Sequence, residues 1–227
     1  MTVDHDLITG IYKSVGNERA FCDPLGKFSD RCGALAASIL INNPAQPAVD
    51  GFFTSPYYQS PKMMRLATEF MELFGQEEQE LILRQYASAP PFQFFSDEDA
   101  YGKSAHEIPS KVWQAQRVGV GRRYGARLSQ TPVWFDVLTF HYPIGHPGMS
   151  AEAKADSLNY LPHFATALEL SRPFTLLQAR FKAVAAALDR LKIGIALLTS
   201  EADVVLHNKR FDDILQQKDG VRRRGNG

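Results

Sequence analysis

Leu158–Phe211, LNYLPHFATALELSRPFTLLQARFKAVAAALDRLKIGIALLTSEADVVLHNKRF, decides the architecture, because within it a helical period gives way to a strand period. Leu158, Leu161, Ala165 and Leu168 recur at steps of three, four and three, one stripe of an α-helix. Ser171-Arg172-Pro173 interrupts the stripe. Either Ser171 caps a new helix with Pro173 in its first turn, where a missing N–H costs least, or Pro173 kinks one continuous helix. Phe174, Leu177, Phe181, Val184, Leu188 and Leu191 then form an unbroken heptad seam. The seam is shorter than the roughly three to four heptads of an unambiguous coiled coil, so it fits pairing with a second copy or packing on its own domain.

Beyond the seam the period changes. Ile193–Leu198 is a short apolar run, Thr199–Asp203 is polar and turn-like, and Val204-Val205-Leu206 is apolar again, which predicts a hairpin. Asn208 is then placed to cap a helix carrying Phe211, Ile214 and Leu215. A hairpin and one short helix bury too little apolar surface to stand alone, so this segment packs on something else or has lost its continuation. The order strand, acidic turn, strand, His207-Asn208-Lys209-Arg210-Phe211, helix resembles the opening of a PAS sensor domain.

The chain has 227 residues, enough for one large domain or a medium domain with a small appendage. Lys plus Arg and Asp plus Glu both number 25, so no net charge draws the chain to DNA or anionic lipid. Met1–Gly10 lacks the apolar core of a signal peptide, and no segment approaches the roughly 20 apolar residues of a membrane span. A cytoplasmic location without membrane contact is therefore expected. Cys22 and Cys32 fit neither a zinc pattern nor a redox pair and read as buried free thiols.

Read in order, Leu7, Ile8, Ile11, Tyr12 and Val15 predict a first helix ending before Gly16, and Phe21, Leu25, Phe28, Cys32 and Leu35 a second. Ala36–Ile41 and Ala48–Thr54 read as strands around an Asn42-Asn43-Pro44 turn. Pro61–Ala87 reads as two helices divided at Gly75, and Ser88–His106, with its Asp97-Glu98-Asp99 run, as a long loop. A helix over Pro109–Val120 precedes strands at Arg122–Leu128 and Pro132–Tyr142. In the last strand Val133, Phe135, Val137, Thr139 and His141 face one way, and Trp134, Asp136, Leu138, Phe140 and Tyr142 the other, the mark of a central strand covered on both faces. Ser150 caps the helix that follows. The fold class is α+β: an antiparallel sheet with helices on both faces, a long connecting helix, then a partial hairpin and helix.

This order, together with Leu161-Pro162-His163-Phe164-Ala165-Thr166-Ala167-Leu168 at the end of the first domain, resembles the GAF/PAS-like input domain of LuxR-type transcriptional regulators. The resemblance divides the chain into an input domain over residues 1–170, a connector helix over 171–192, and a partial PAS-like segment with a basic tail over 193–227. It implies a sensory and dimerising input region that works as a homodimer with a small-molecule ligand and no cofactor. Regulators of this type reach DNA through a C-terminal helix-turn-helix. Nothing after Gly220 supplies one, so the DNA-binding domain is expected to be absent, and Val221–Gly227 reads as a solvated basic tail. The aromatic and Asp pattern of the acyl-homoserine-lactone receptors is not recognisable between Phe52 and Phe95, so that ligand class is not implied.

No Gly-x-Ser-x-Gly elbow, phosphate loop or His-Glu-x-x-His helix is present, and the chain is not expected to be an enzyme. His141 and His146 flank a Pro/Gly loop without a third or fourth ligand, so no metal site is assigned. The acidic run at Asp97–Asp99 reads as solvated. Sensor domains of this build hold ligands between the sheet and the helices crossing it. The nominated pocket residues are Phe52, Tyr57, Tyr58, Trp113, Tyr124, Trp134, Phe140 and His141, against a bland reading in which most are core. Two other functions are open: an interaction protein pairing with full-length regulators through the seam, and a small enzyme using His141 and His146.

Overall fold

A computed structural model describes residues 3–42, 51–86, 88–102, 105–131 and 134–217. The chain divides into two units, Met1–Pro173 and Phe174–Gly227.

In the first unit, α1 (His5–Lys13) starts at Asp4, whose side chain accepts from the backbone N–H groups of Asp6 and Leu7, and buries Leu7 and Ile11. A 3₁₀ turn, Glu18–Phe21, leads into α2 (Cys22–Arg31), and the chain then enters β1 (Ala36–Asn42). Cys22 and Cys32 are free thiols. Burial pushes the Cys32 thiol up to about 11. β2 (Gly51–Thr54) precedes α3, a 26-residue helix from Pro61 to Tyr86. β3 (Phe94–Ser96), α4 (Asp97–Tyr101), α5 (Pro109–Trp113) and a π-helical turn (Gln114–Val118) bring the chain to β4 (Val120–Arg127) and β5 (Phe135–Pro143). Ser150 caps α6 (Ala151–Ser157) by accepting from the Ala153 N–H at 3.1 Å, and α7 (Leu161–Asp189) follows.

All five strands are antiparallel, in the order β2-β1-β5-β4-β3. The fold is the expected α+β, GAF/PAS-like arrangement, with helices on both faces of the sheet. The faces are packed unequally. On the first, Ile39, Leu138, Phe140 and Tyr142 meet Leu7, Ile11, Leu25, Phe28 and Phe164 in one continuous core. There the Phe28 ring stacks on Phe164 and meets Phe140 edge-on, with centroids 5.2 and 4.9 Å apart. On the second face, under α3, Tyr86, Ala89, Phe135 and Val137 form a separate, small buried apolar cluster. Space therefore remains on that side.

Several local expectations are corrected. Gly75 does not divide two helices: α3 runs through it. A helical glycine costs about 1 kcal/mol, which packing offsets, and a Cβ at this position would lie 3.2 Å from Cε of Met71. Ser88–His106 is not one long loop, because it contains β3 and α4. Ser96 caps α4 in a reciprocal box with Asp99. The helix begun at Pro109 ends in the π turn at Gly119, which adopts φ 83°. Ser171 is not an N-cap. It sits inside the continuous α7, donating to the Ala167 carbonyl at 2.7 Å and accepting from the Gly16 N–H at 3.2 Å, with Pro173 inside the helix. Ala48, Asn43, Pro44 and Val133 lie outside the described residues, as does the basic tail.

The second unit contains the end of α7, the hairpin β6 (Ala196–Leu198) and β7 (Val204–His207), and α8 (Lys209–Gln217). Asn208, 1% exposed, organises it. Its side chain accepts from the N–H groups of Ile195 and Phe211 and donates to the carbonyls of Leu188 and Ile193. Phe174, Leu177, Phe181, Val184 and Leu188 lie on the single helix α7 at heptad spacing, so they share a stripe. Leu188 is half-buried and the other four are exposed, Leu177 at 66%; Leu191, also exposed, follows the helix end.

Candidate ligand-binding site

The space on the second face is a cavity of about 460 Å³ between α3 and the sheet. The strand register sets its floor. Ser38 pairs with Thr139 across β1–β5 and Arg123 with His141 across β4–β5, so four polar side chains point the same way. The helical period sets its roof: Met63, Leu66, Ala67, Phe70 and Met71 recur on the α3 face turned to the sheet, and Glu78 continues that face. Val118 and Val120 close one side, and Phe52 stands half-exposed at the rim.

The polar end carries two connected systems. In the first, the His141 Nδ1 bonds the Tyr58 hydroxyl and Nε2 the Ser38 Oγ at 3.3 Å. Burial first, and then the Arg123 charge, lowers the imidazole to about 3, so His141 is neutral. Burial raises the Tyr58 phenol as well, keeping it protonated. In the second, Glu78 accepts from Lys111 Nζ at 2.5 Å and from Arg123 Nη1 at 2.8 Å. Asp97 accepts from Arg123 Nε and Nη2 at 3.1 and 3.0 Å and from the Arg123 backbone N–H at 3.0 Å. The Tyr101 ring lies 5.2 Å from Lys111 Nζ. Burial raises the Asp97 carboxyl, with Arg123 opposing. Two carboxylates and two cations leave the network without net formal charge.

Of the eight nominated residues, Phe52, Tyr58 and His141 line the cavity. Tyr57 backs Tyr58 edge-on at 5.2 Å and donates to the Val118 carbonyl at 2.7 Å. Trp113 packs against Phe70 and Phe74 at 5.5 and 6.4 Å. Tyr124 and Phe140 are corrections: both pack with the core of the opposite face, Tyr124 edge-on to Tyr142 and Phe140 against Phe28. Trp134 also packs against that core, under the Arg172 guanidinium at 4.1 Å. Strand parity is the reason, since neighbours such as Phe140 and His141 cannot share a face. His146 stacks on Tyr142, also a first-face residue, at 5.0 Å. Among the described residues, no group of three or more His, Cys, Asp or Glu could hold a metal ion.

The network of Glu78, Asp97, Lys111 and Arg123 was not anticipated. Two signals pointed towards it. Glu78 is an acid on an otherwise apolar α3 stripe, and Ser96-Asp97-Glu98-Asp99 spells a capping box that fixes Asp97 at a helix start.

On the far face, Asp136 is 1% exposed and paired with Arg172 of α7. Burial pushes its carboxyl up to about 6, with Arg172 opposing. Among the described residues, Asp136 Oδ1 and Arg172 Nε are buried without hydrogen-bond partners.

Among the described residues no helix is long and apolar enough to cross a membrane. No family model and no curated protein matches the chain. Among solved structures, the ligand-binding domain of VqsR from Pseudomonas aeruginosa is similar at 13% identity, with a TM-score of 0.47, over 75% of this chain and 96% of that one.

Proposed function

We propose that this chain is the sensory input region of a LuxR-type cytoplasmic regulator, binding a small molecule under α3 and pairing with a second copy through the α7 stripe. The observation that carries the reading is the cavity of about 460 Å³, within the usual ~300–1,000 Å³ of small-molecule sites, with an apolar roof and a convergent polar floor. Binding rather than turnover fits its chemistry: both His141 nitrogens are engaged by hydroxyls, and burial keeps the ring uncharged. The exposed heptad residues of α7 support the pairing.

A thermal-shift screen of uncharged and charged metabolites tests the cavity. Binders raise Tm in the wild type, by about 2.7 kcal/mol of stabilisation at a hundredfold excess over Kd, and Ala67→Trp, which fills the roof, abolishes the shift. Equal shifts in both proteins overturn the assignment. Light scattering of a Leu177→Glu/Phe181→Glu variant tests the stripe: a monomer is expected, and an unchanged dimer rejects it.

A further inference from the structure

The charged groups that reach the cavity are already matched among themselves. Glu78 and Arg123 form part of its wall. Behind them Lys111 and Asp97 complete the network, with Lys111 Nζ 2.5 Å from Glu78 and Arg123 Nη2 3.0 Å from Asp97. His141 adds no charge, since burial keeps its imidazole neutral.

An ion entering this site sheds water and, among the described residues, finds no unpaired countercharge in its lining. A ligand carboxylate beside Arg123 competes with Glu78 and Asp97 for a cation they already engage, and a ligand ammonium beside Glu78 competes with Lys111 and Arg123 for a carboxylate they already engage. Either ion adds to the buried, matched set a charge that nothing in it compensates. A neutral head group avoids both outcomes, and the floor offers it the hydroxyl-bearing Ser38 and Thr139. Opposite them Leu66 and Phe70 face an aliphatic body. Resting on the reading of this cavity as a ligand site, we propose that the Glu78–Lys111–Asp97–Arg123 network is a charge filter that restricts the site to uncharged amphiphiles. Specificity here comes from rejection as much as from attraction.

The test uses the full chain and three probes of matched length, octanamide, octanoate and octylammonium, titrated calorimetrically at about pH 7.5, where the acid is ionised and the amine protonated. Wild type binds octanamide about tenfold or more tighter than either ion, a difference of ~1.4 kcal/mol. Glu78→Gln leaves one excess positive charge and moves the preference to octanoate. Lys111→Met leaves one excess negative charge and moves it to octylammonium, so the filter stays testable if either variant fails to fold. The double variant is neutral again and returns to the amide. Wild type binding an ion as tightly as octanamide, or variants keeping the wild-type order, overturns the filter and leaves the cavity assignment standing. No binding of any probe to any of the proteins overturns the cavity assignment and the filter with it.

Discussion

Replacing Asn208 with Ala is expected to loosen the second unit by about 2–3 kcal/mol while leaving the first unchanged. The magnitude follows from what each lost bond leaves behind. The Phe211 N–H keeps a backbone acceptor in the Asn208 carbonyl at 3.0 Å, and the Leu188 carbonyl keeps the Leu191 N–H at 3.1 Å. The Ile195 N–H and the Ile193 carbonyl lose the Asn208 contacts they make at 2.9 Å. An orphaned buried backbone group costs about 1–3 kcal/mol. Two such groups sum to about 2–6 kcal/mol, and because Ile193 is exposed, water reaching its carbonyl holds the sum to the lower part of that range. Hydrogen exchange resolves the effect by segment. Amides of Ala196–Leu198 and Val204–His207 should exchange roughly 30- to 150-fold faster, while β1 and β5 keep wild-type protection. Unchanged protection in the hairpin, or equal loss in both units, refutes the reasoning.

Two further perturbations probe the first unit. The Asp136 carboxyl sits at about 6 in the folded protein, above its unfolded value, so its contribution to stability is present at low pH and lost as pH rises through about 6. In urea titrations, wild type should gain about 2 kcal/mol on Asp136→Asn between pH ~7.5 and ~4.5; parallel profiles or the opposite slope refute this. A Cβ on Gly125 would lie 2.2 Å from the Tyr86 hydroxyl and 2.9 Å from its Cζ. Gly125→Ala should therefore cost about 1–3 kcal/mol, and less in a Tyr86→Phe background, as a double-mutant cycle in denaturant would read; additivity rejects the clash.

The parts of the fold legible in sequence are those written in a local period. The α7 stripe, the alternation along β5 and the Asn208 cap each depend on residues within a few positions of one another. What escaped depends on contacts the period does not carry. The break signal of Gly75 is local, whereas the Met71 side chain that packs beside it belongs to the folded helix. β3 has only three residues, too few to alternate, and it follows Pro90-Pro91. Pro173 fits a helix start and an interior position equally well until the Ser171 hydroxyl is seen bonding back to Ala167 and receiving Gly16.

The candidate site shows the same division more sharply. Aromatic size selects residues that pack, but parity along a strand decides which wall they join, so Phe140 and His141, adjacent in sequence, serve opposite faces. The alternation along β5 by itself separates His141 from Trp134 and Phe140. The ion network yields to no such rule. Its members come from α3, α4, α5 and β4, with partners 14 to 45 residues apart, and a pairing across that distance has no spacing to read. Glu78 points to it more directly than the Ser96–Asp99 capping box does, because a carboxylate on an apolar helical stripe must find a cation or lose its charge. Here it finds two, and the neutrality that results is what shapes the chemistry of the cavity beside it.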